Sequence, residues 1–249
     1  MKKTKTTDLY IIFGASRGLG KAILDYGLKS LNNEFVVVDR KAGRSNRRVK
    51  SFKIDLSEII SVIQLERIFA AGEKKHYKNI YLINNASMIQ PLKPLGAAAI
   101  NEIIAAVRVN FLNYALIINY FLNRTRKIKK INKRILNITS GAAVSPHHGL
   151  AIYCATKAAL EMISKCVFLE QQFLKQAKII AFRPGVIDTG MQKEIRQTAK
   201  KDFRKVEDYR KIYKANSLSD PANVAEKIFK VLKNDKYWLK QVVNIDEVK

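Results

Sequence analysis

Two rhythms alternate along the chain. Short runs rich in β-branched and aromatic residues (DLYIIF, EFVVVD, FKIDL, NIYLINN, RILNITS and KIIAFRP) are separated by longer stretches in which apolar residues recur every three or four positions. The first rhythm predicts strands and the second predicts helices over residues 18–29, 57–71, about 101–127 and about 152–174. A last helix has a legible start at Ser219-Asp220-Pro221, an N-cap followed by proline in the first turn. It is expected to run to about residue 234, before a seventh short strand near VVNI. Between the sixth strand and that helix, about residues 186–217, the chain is polar and reads as a loop. Strands apolar on both faces belong inside a parallel sheet covered by helices on each side. One α/β domain spanning residues 1–249 is therefore expected: a doubly wound, Rossmann-like parallel sheet of about seven strands. No internal repeat and no Gly/Ser/Pro-rich linker marks a second domain.

Composition narrows the function. Apolar residues make up 47% and charged residues 27%, enough to bury a core and against disorder or a collagen-like chain. Lys plus Arg number 46 against 21 Asp plus Glu, a net charge of +25, which keeps a polyanion partner in view. The densest basic run, RTRKIKKINKR at 124–134, has no aromatic residue to stack a base, and cations recur over the whole chain. That run reads as a solvated helix end and loop, with no specific nucleic-acid partner expected. The basic opening MKKTKTT precedes an apolar stretch, LYIIF, too short for a secretion signal. No run approaches the roughly 18 to 20 apolar residues of a membrane span, since VRVNFLNYALIINYFL is interrupted by Arg108 and several Asn. Cys154 and Cys166 fall about 18 Å apart on one predicted helix and cannot pair. A soluble cytoplasmic protein is the expectation.

The segment Gly14-Ala15-Ser16-Arg17-Gly18-Leu19-Gly20 follows the first predicted strand directly and opens the first helix. Glycines there let the backbone reverse and let a pyrophosphate approach N–H groups at the positive end of the helix dipole. The plainer alternative is a tight turn alone. Asp39, at the end of the second strand, stands where a carboxylate receives the ribose hydroxyls of NAD(H). Arg40 beside it, Arg17 in the glycine loop, and Lys41 and Arg44 supply cations suited to a 2′-phosphate. The charge count favours NADP(H) and leaves NAD(H) open. Arg47 and Arg48 read as a solvated basic loop. Asp55-Leu56 closes the third predicted strand, where it is placed to meet the adenine.

Tyr153 and Lys157, four apart in YCATK, share one face of a predicted helix. An ammonium there is expected to stabilise the phenolate and bring a tyrosine of pKa ~10 toward the working range for proton transfer. Ser140 ends the preceding strand, at the carboxyl edge where ligands of open sheets bind. Read singly, Y-x-x-x-K is also a common chance pair on an exposed helix.

Taken in order, the glycine loop, Asn84-Asn85-Ala86, Asn110, Ser140, Tyr153 with Lys157, and Pro184-Gly185 resemble the short-chain dehydrogenase/reductase family over essentially the whole chain. The resemblance implies that Ser140 polarises a substrate carbonyl, Tyr153 protonates it, Lys157 also holds the nicotinamide ribose, and Asn110 holds a proton-relay water. It implies that Gly14, Ser16, Gly18, Leu19 and Gly20 cradle the cofactor and that Asn85 and Ala86 line it. Pro184, Gly185, Ile187 and Thr189 would lie near the carboxamide. Two residues depart from the family pattern: Phe13 replaces a threonine, and Ser87 replaces the glycine after Asn-Asn-Ala.

Within the family, NNASMIQPLKP, AIYCATKAALEM and RPGVIDTGMQKEIR look like the branch of sepiapterin reductase and of bacterial reductases of benzil-type diketones. This implies a substrate-closing segment over about 186–217 and an acid near the carboxyl end, either Asp246 or Glu247. It also implies a homodimer or homotetramer. His147 and His148 read as loop residues at the substrate mouth, and with His76 remote no metal site is expected. The expected activity is NADPH-dependent reduction of a ketone or 1,2-dicarbonyl, a small-molecule carbonyl substrate, to an alcohol. Its rivals are an NAD-dependent alcohol dehydrogenase and a basic nucleic-acid-binding or scaffold protein on the same fold.

Overall fold

In the computed structural model, which describes residues 7–41, 43, 45–72 and 77–249, strands and helices alternate almost throughout. The chain runs β1 (Thr7–Phe13), α1 (Gly18–Leu28), β2 (Asn33–Asp39), β3 (Val49–Lys53), α2 (Val62–Ala70) and β4 (Tyr77–Asn84). It continues through α3 (Ile100–Val107), a π-helical turn (Arg108–Leu112), α4 (Asn113–Thr125), β5 (Asn132–Ile138), α5 (Ala151–Leu174) and β6 (Lys178–Arg183). Then come α6 (Gly190–Gln197), α7 (Val206–Lys214), α8 (Pro221–Lys233) and β7 (Val242–Asn244). The seven strands pair in parallel in the order β3-β2-β1-β4-β5-β6-β7.

Period-two alternation with apolar residues on both faces is what makes this sheet two-sided. In β1, Tyr10 and Ile12 join a core with Leu19 and Ile23 of α1 and Ile228 and Phe229 of α8. Leu9, Ile11 and Phe13 join the opposite core with Leu65 of α2, Tyr114 and Phe121 of α4, and Leu160 of α5. Strand order reverses between β1 and β4, where Phe13 pairs with Asn84. Gly14 and Asn85, the next residues, therefore open the crevice at the carboxyl edge where ligands of such sheets sit.

Several expected boundaries move. The third strand ends at Lys53, leaving Ile54, Asp55 and Leu56 beyond it. The second helix begins at Val62 because Ser61 caps it reciprocally: Ser61 Oγ accepts from Gln64 N at 3.2 Å, and Gln64 Oε1 accepts from Ser61 N at 2.9 Å. The expected helix 101–127 is broken by the π-helical turn. Contrary to expectation, the helical run Ile100–Thr125 is long and apolar enough to cross a membrane by length and composition. Its Tyr114, Ile117, Ile118 and Phe121 are buried in the core of the sheet. The segment read as a polar loop contains α6 and α7, whose Ile195 and Val206 close a third cluster with Ile89, Leu92, Leu150 and Tyr153. Nor is the basic run at 124–134 simply solvated. Lys133 and Arg134 are β5 residues; Lys133 Nζ donates to the Thr125 carbonyl, and Arg134 donates to the Leu232 carbonyl and the Asp235 carboxylate. Cys154 and Cys166 are both free, as expected.

Helix α5 is fixed to the sheet by buried polar groups. Asn84 Nδ2 donates to Asn137 Oδ1 at 2.7 Å, and Asn137 Nδ2 donates to Ser164 Oγ at 2.8 Å. Arg183 of β6 makes a forked pair with Glu161, at 2.9 and 2.6 Å. These ties set the height of Tyr153 and Lys157 above the carboxyl edge.

Candidate active site

The glycine loop is built by close approach. Gly14 has φ +90°, and a Cβ on it would lie 2.7 Å from Ala86; a Cβ on Gly20 would lie 1.7 Å from the Gly14 carbonyl oxygen. Asn85 Nδ2 donates to that oxygen at 2.6 Å, Ala86 N donates to the Phe13 carbonyl at 2.7 Å, and the Tyr114 hydroxyl donates to the Ala86 carbonyl at 2.5 Å. Arg17 occupies the α1 N-cap without a side-chain cap, and the first turn holds no acidic residue. The first-turn amides thus lack the side-chain acceptors that usually satisfy them, an arrangement that fits a diphosphate. Ser16 and Arg17 are exposed, whereas the Leu19 side chain is buried. Across the cleft, a Cβ on Gly18 would touch Thr189 Cγ2 at 3.2 Å.

At the end of β2, Asp39 Oδ2 accepts from Ala15 N at 2.9 Å. Arg40 is exposed, and among the described residues no carboxylate forms an ion pair with Arg40 or Arg17. Arg44 lies outside the described residues. Arg48 is not merely solvated: its guanidinium donates to the Leu28 and Ser30 carbonyls at 3.2 and 2.9 Å, satisfying the end of α1. Asp55 is exposed and caps a turn by accepting from Ser57 N. Leu56 is buried, with its carbonyl held by Asn113 Nδ2.

Ser140 follows β5, and its Oγ accepts from Ala142 N at 3.1 Å. Tyr153, from the first turn of α5, is 8% exposed, and the Ser140 and Ser87 hydroxyls are among the groups that influence its phenol. Burial pushes the phenol up to about 12; the Ser140 and Ser87 hydrogen bonds pull down against it, while Tyr209 and Cys154 push up. Lys157 is 1% exposed, donates from Nζ to the Ile138 carbonyl at 2.9 Å, and lies 5.7 Å from the Tyr153 ring centroid. Burial pulls its ammonium down to about 7. Burial thus acts on both members of the pair, disfavouring the charge of the lysine and of the phenolate alike.

Asn110 sits in the π-helical turn, fully buried. Its Oδ1 accepts from Met88 N at 2.9 Å and Ser87 Oγ at 3.0 Å; its Nδ2 donates to the Met88 carbonyl at 2.9 Å and Thr156 Oγ1 at 3.2 Å. The amide's two donors and two acceptor sites are thereby filled, so the side chain anchors the Ser87-Met88 segment and Thr156. Ser87 is the site residue that sequence reasoning missed as a participant; the available signal was a hydroxyl where the family pattern has glycine.

Pro184 and Gly185 follow β6, with Ile245 packed 3.4 Å from where a Gly185 Cβ would lie. The Ile187 side chain belongs to the sheet core, and its backbone bridges to Ser219. Glu247 is engaged elsewhere: it pairs with Lys240 and accepts from Asn244, contacts that hold its carboxylate down at about 2. Asp246 and His148 are exposed, and His147 is half-buried with its Nδ1 unpartnered. Among the described residues no three His, Cys, Asp or Glu side chains gather to hold a metal; His76 lies outside them.

The model of the short chain dehydrogenase family matches residues 9–200. A benzil reductase, (S)-benzoin forming, from Bacillus cereus is 32% identical over 246 residues, covering 95% of this chain and 98% of that protein. Sepiapterin reductase of Mus musculus is 23% identical over 244 residues, covering 91% and 92%. A solved short-chain dehydrogenase/reductase from Saccharomyces cerevisiae superposes with a TM-score of 0.78 at 22% identity over 96% of each chain. Matched along most of its length, the chain belongs to the short-chain dehydrogenase/reductase family of oxidoreductases.

Proposed function

We propose that this chain is an NADPH-dependent carbonyl reductase acting on a ketone or on one carbonyl of a 1,2-dicarbonyl. The observation that carries the reading is buried Lys157, its Nζ 5.7 Å from the ring of buried Tyr153, in a fold whose first helix has no side-chain cap at its N-terminus. The bound nicotinamide supplies a hydride. Ser140, whose oxygen already accepts from Ala142 N, turns its own proton toward the substrate carbonyl and orients it. Tyr153 gives its proton to that oxygen. Lys157 holds the end of β5 through Ile138 and is proposed to grip the nicotinamide ribose. The first-turn amides of α1, with Gly14, Ser16, Gly18 and Gly20, hold the diphosphate. Residues 186–217 close over the substrate, a role supported by the packing of α6 and α7 on Tyr153. The benzil reductase likeness supports a diketone substrate. Two free cysteines suit the cytoplasm, and Met162, Leu169 and Phe173, exposed along α5, support a homodimer or homotetramer.

A panel of ketones and 1,2-diketones, benzil included, assayed with both cofactors tests the activity. Turnover of a dicarbonyl with NADPH is the expected result, and no turnover of any member with either cofactor overturns it.

A second reading, dependence on NADH, is favoured by Asp39. One of its oxygens is occupied by Ala15 N, and the other is available to ribose hydroxyls. That same hydrogen bond offsets part of the carboxylate charge, while Arg40 and Arg17 have no competing carboxylate among the described residues. Hence Arg40→Ala is expected to cut kcat/KM with NADPH about tenfold or more, and much less with NADH. Asp39→Ala is expected to move preference further toward NADPH. A wild type that prefers NADH and is indifferent to Arg40→Ala establishes the second reading.

A further inference from the structure

The carboxyl edge of the sheet carries the candidate active site, and the opposite edge holds a cavity of its own. It lies across the amino ends of β5 and β6, between the end of α5 and the 3₁₀ turn Asp235–Leu239, and has a volume of about 440 Å³. The length of β5 sets it about 20 Å from Ser140. Its volume falls within the range of small-molecule sites, about 300–1,000 Å³, and exceeds what a single inorganic ion fills.

The charges lining this cavity do not balance. Lys133, Arg134, Lys175 and Lys178 face one lining carboxylate among the described residues, Asp235. Arg134 and Lys178 converge on the same Asp235 oxygen, at 2.6 and 2.9 Å. An exposed carboxylate of the chain thus marks a point where two cations meet. No carboxylate among the described residues pairs with Lys133 or Lys175. Lys133 and Arg134 are each only 6% exposed; Lys133 Nζ donates to an uncharged carbonyl, and Arg134 Nε is buried without a hydrogen-bond partner. Cations buried with donors unspent are costly to the fold.

Lys175 gives a second, independent sign. It ends α5 with φ +51°, in the left-handed region that favours glycine. The turn is held without its side chain: Lys175 N donates to the Gln171 carbonyl at 2.9 Å, and Gln171 Oε1 accepts from Gln176 N and Ala177 N at 3.1 and 2.9 Å. The lysine side chain is left exposed at the cavity rim.

We propose that this cavity is a second ligand site, which binds a small organic phosphate monoester. A phosphate dianion matches the excess of positive charge better than a carboxylate does, and its three terminal oxygens accept from Lys175, Lys178 and Arg134. Half-buried Phe168 and exposed Leu239 supply the wall for an apolar ester group.

The test is calorimetric titration of the full chain with phenyl phosphate. Lys178→Ala and Lys175→Gly should each weaken binding about tenfold, as one charge-assisted hydrogen bond is lost. Lys175→Gly should also raise the melting temperature by relieving the left-handed position, which separates lost binding from lost folding. Asp235→Asn keeps the oxygen shared by Arg134 and Lys178 and removes its charge, so binding should tighten severalfold. Asp25→Asn, on α1 and outside the cavity, controls for net charge and should change nothing, as should Arg40→Ala at the cofactor site. No saturable binding by the wild type overturns the proposal, as does binding that survives Lys178→Ala, that Arg40→Ala removes, or that Asp25→Asn tightens equally. Benzoate binding as tightly as phenyl phosphate overturns the phosphate assignment. A lipid headgroup shares this chemistry, so phosphatidylcholine vesicles containing phosphatidic acid form a second arm. Retention on them that Lys178→Ala abolishes, without binding of phenyl phosphate, overturns the small-molecule assignment.

Discussion

Tyr153→Phe is expected to lower carbonyl reduction by about 10²- to 10⁴-fold or more while leaving NADPH affinity unchanged. The substitution removes one hydroxyl and keeps the ring that fills the third hydrophobic cluster with Leu150, Ile195 and Phe203. The glycine loop and the α1 N-terminus do not touch that hydroxyl, so cofactor binding, measured by quenching of protein fluorescence, should hold. With the phenol pushed up to about 12, wild-type Tyr153 keeps its proton throughout the neutral range. Reduction should accordingly show no loss from this group until strongly alkaline pH. Near-wild-type turnover in the phenylalanine variant would falsify the assignment of Tyr153 as proton donor.

Lys157→Met is expected to separate function from stability. Activity should fall by the order of 10²-fold, because no ammonium remains above Ile138 for the proposed grip on the nicotinamide ribose. Stability should rise. In the folded protein burial pulls Lys157 down to about 7 from an ordinary 10.5. Between those two values the unfolded chain binds more protons than the folded one, so stability climbs as pH rises through that window. Below about 7 the full penalty of the buried charge is present. It amounts to a few kcal/mol, against ~1–3 kcal/mol for leaving the Ile138 carbonyl without its donor. The variant should melt a few degrees higher at pH 6, with the gain shrinking toward pH 10. A melting temperature that falls equally at both pH values would show that Lys157 is a net stabiliser, held by contacts rather than tolerated for chemistry.

The sheet was readable because its strands are apolar on both faces, a pattern that only a doubly covered parallel sheet satisfies. Ser219-Asp220-Pro221 was equally legible, and Asp220 Oδ1 does cap Ala222 N at 2.6 Å. Helix α6 was not, since GMQKEIRQ has only two apolar residues, Met191 and Ile195, among six that are polar or glycine. The start of α2 was misplaced although its signal, Ser61 followed by Gln64, stood in the sequence beside a misleading apolar pair, Ile59-Ile60. At the site, side chains four apart on one helix could be placed together by geometry alone. What could not be read was the effect of burial, which pulls the Lys157 ammonium down and pushes the Tyr153 phenol up. Nor could the saturation of Asn110 be foreseen, because its partners Ser87, Met88 and Thr156 converge from two other segments.

The pairing of β1 with β4 bears on how the molecule is made. The oxygen of Gly14 is held by Asn85, 71 positions later, and Ala86 closes onto Phe13 across a similar span. A nascent chain ending before β4 can fold β1, α1 and β2 locally, yet its glycine loop has nothing to lean on. Closing so long a loop costs on the order of 4 kcal/mol of chain entropy, and the contacts that repay it arrive together at the sheet centre. The glycine loop consequently depends on the pairing of β1 with β4, and an N-terminal fragment with every glycine in place lacks the residues that brace it.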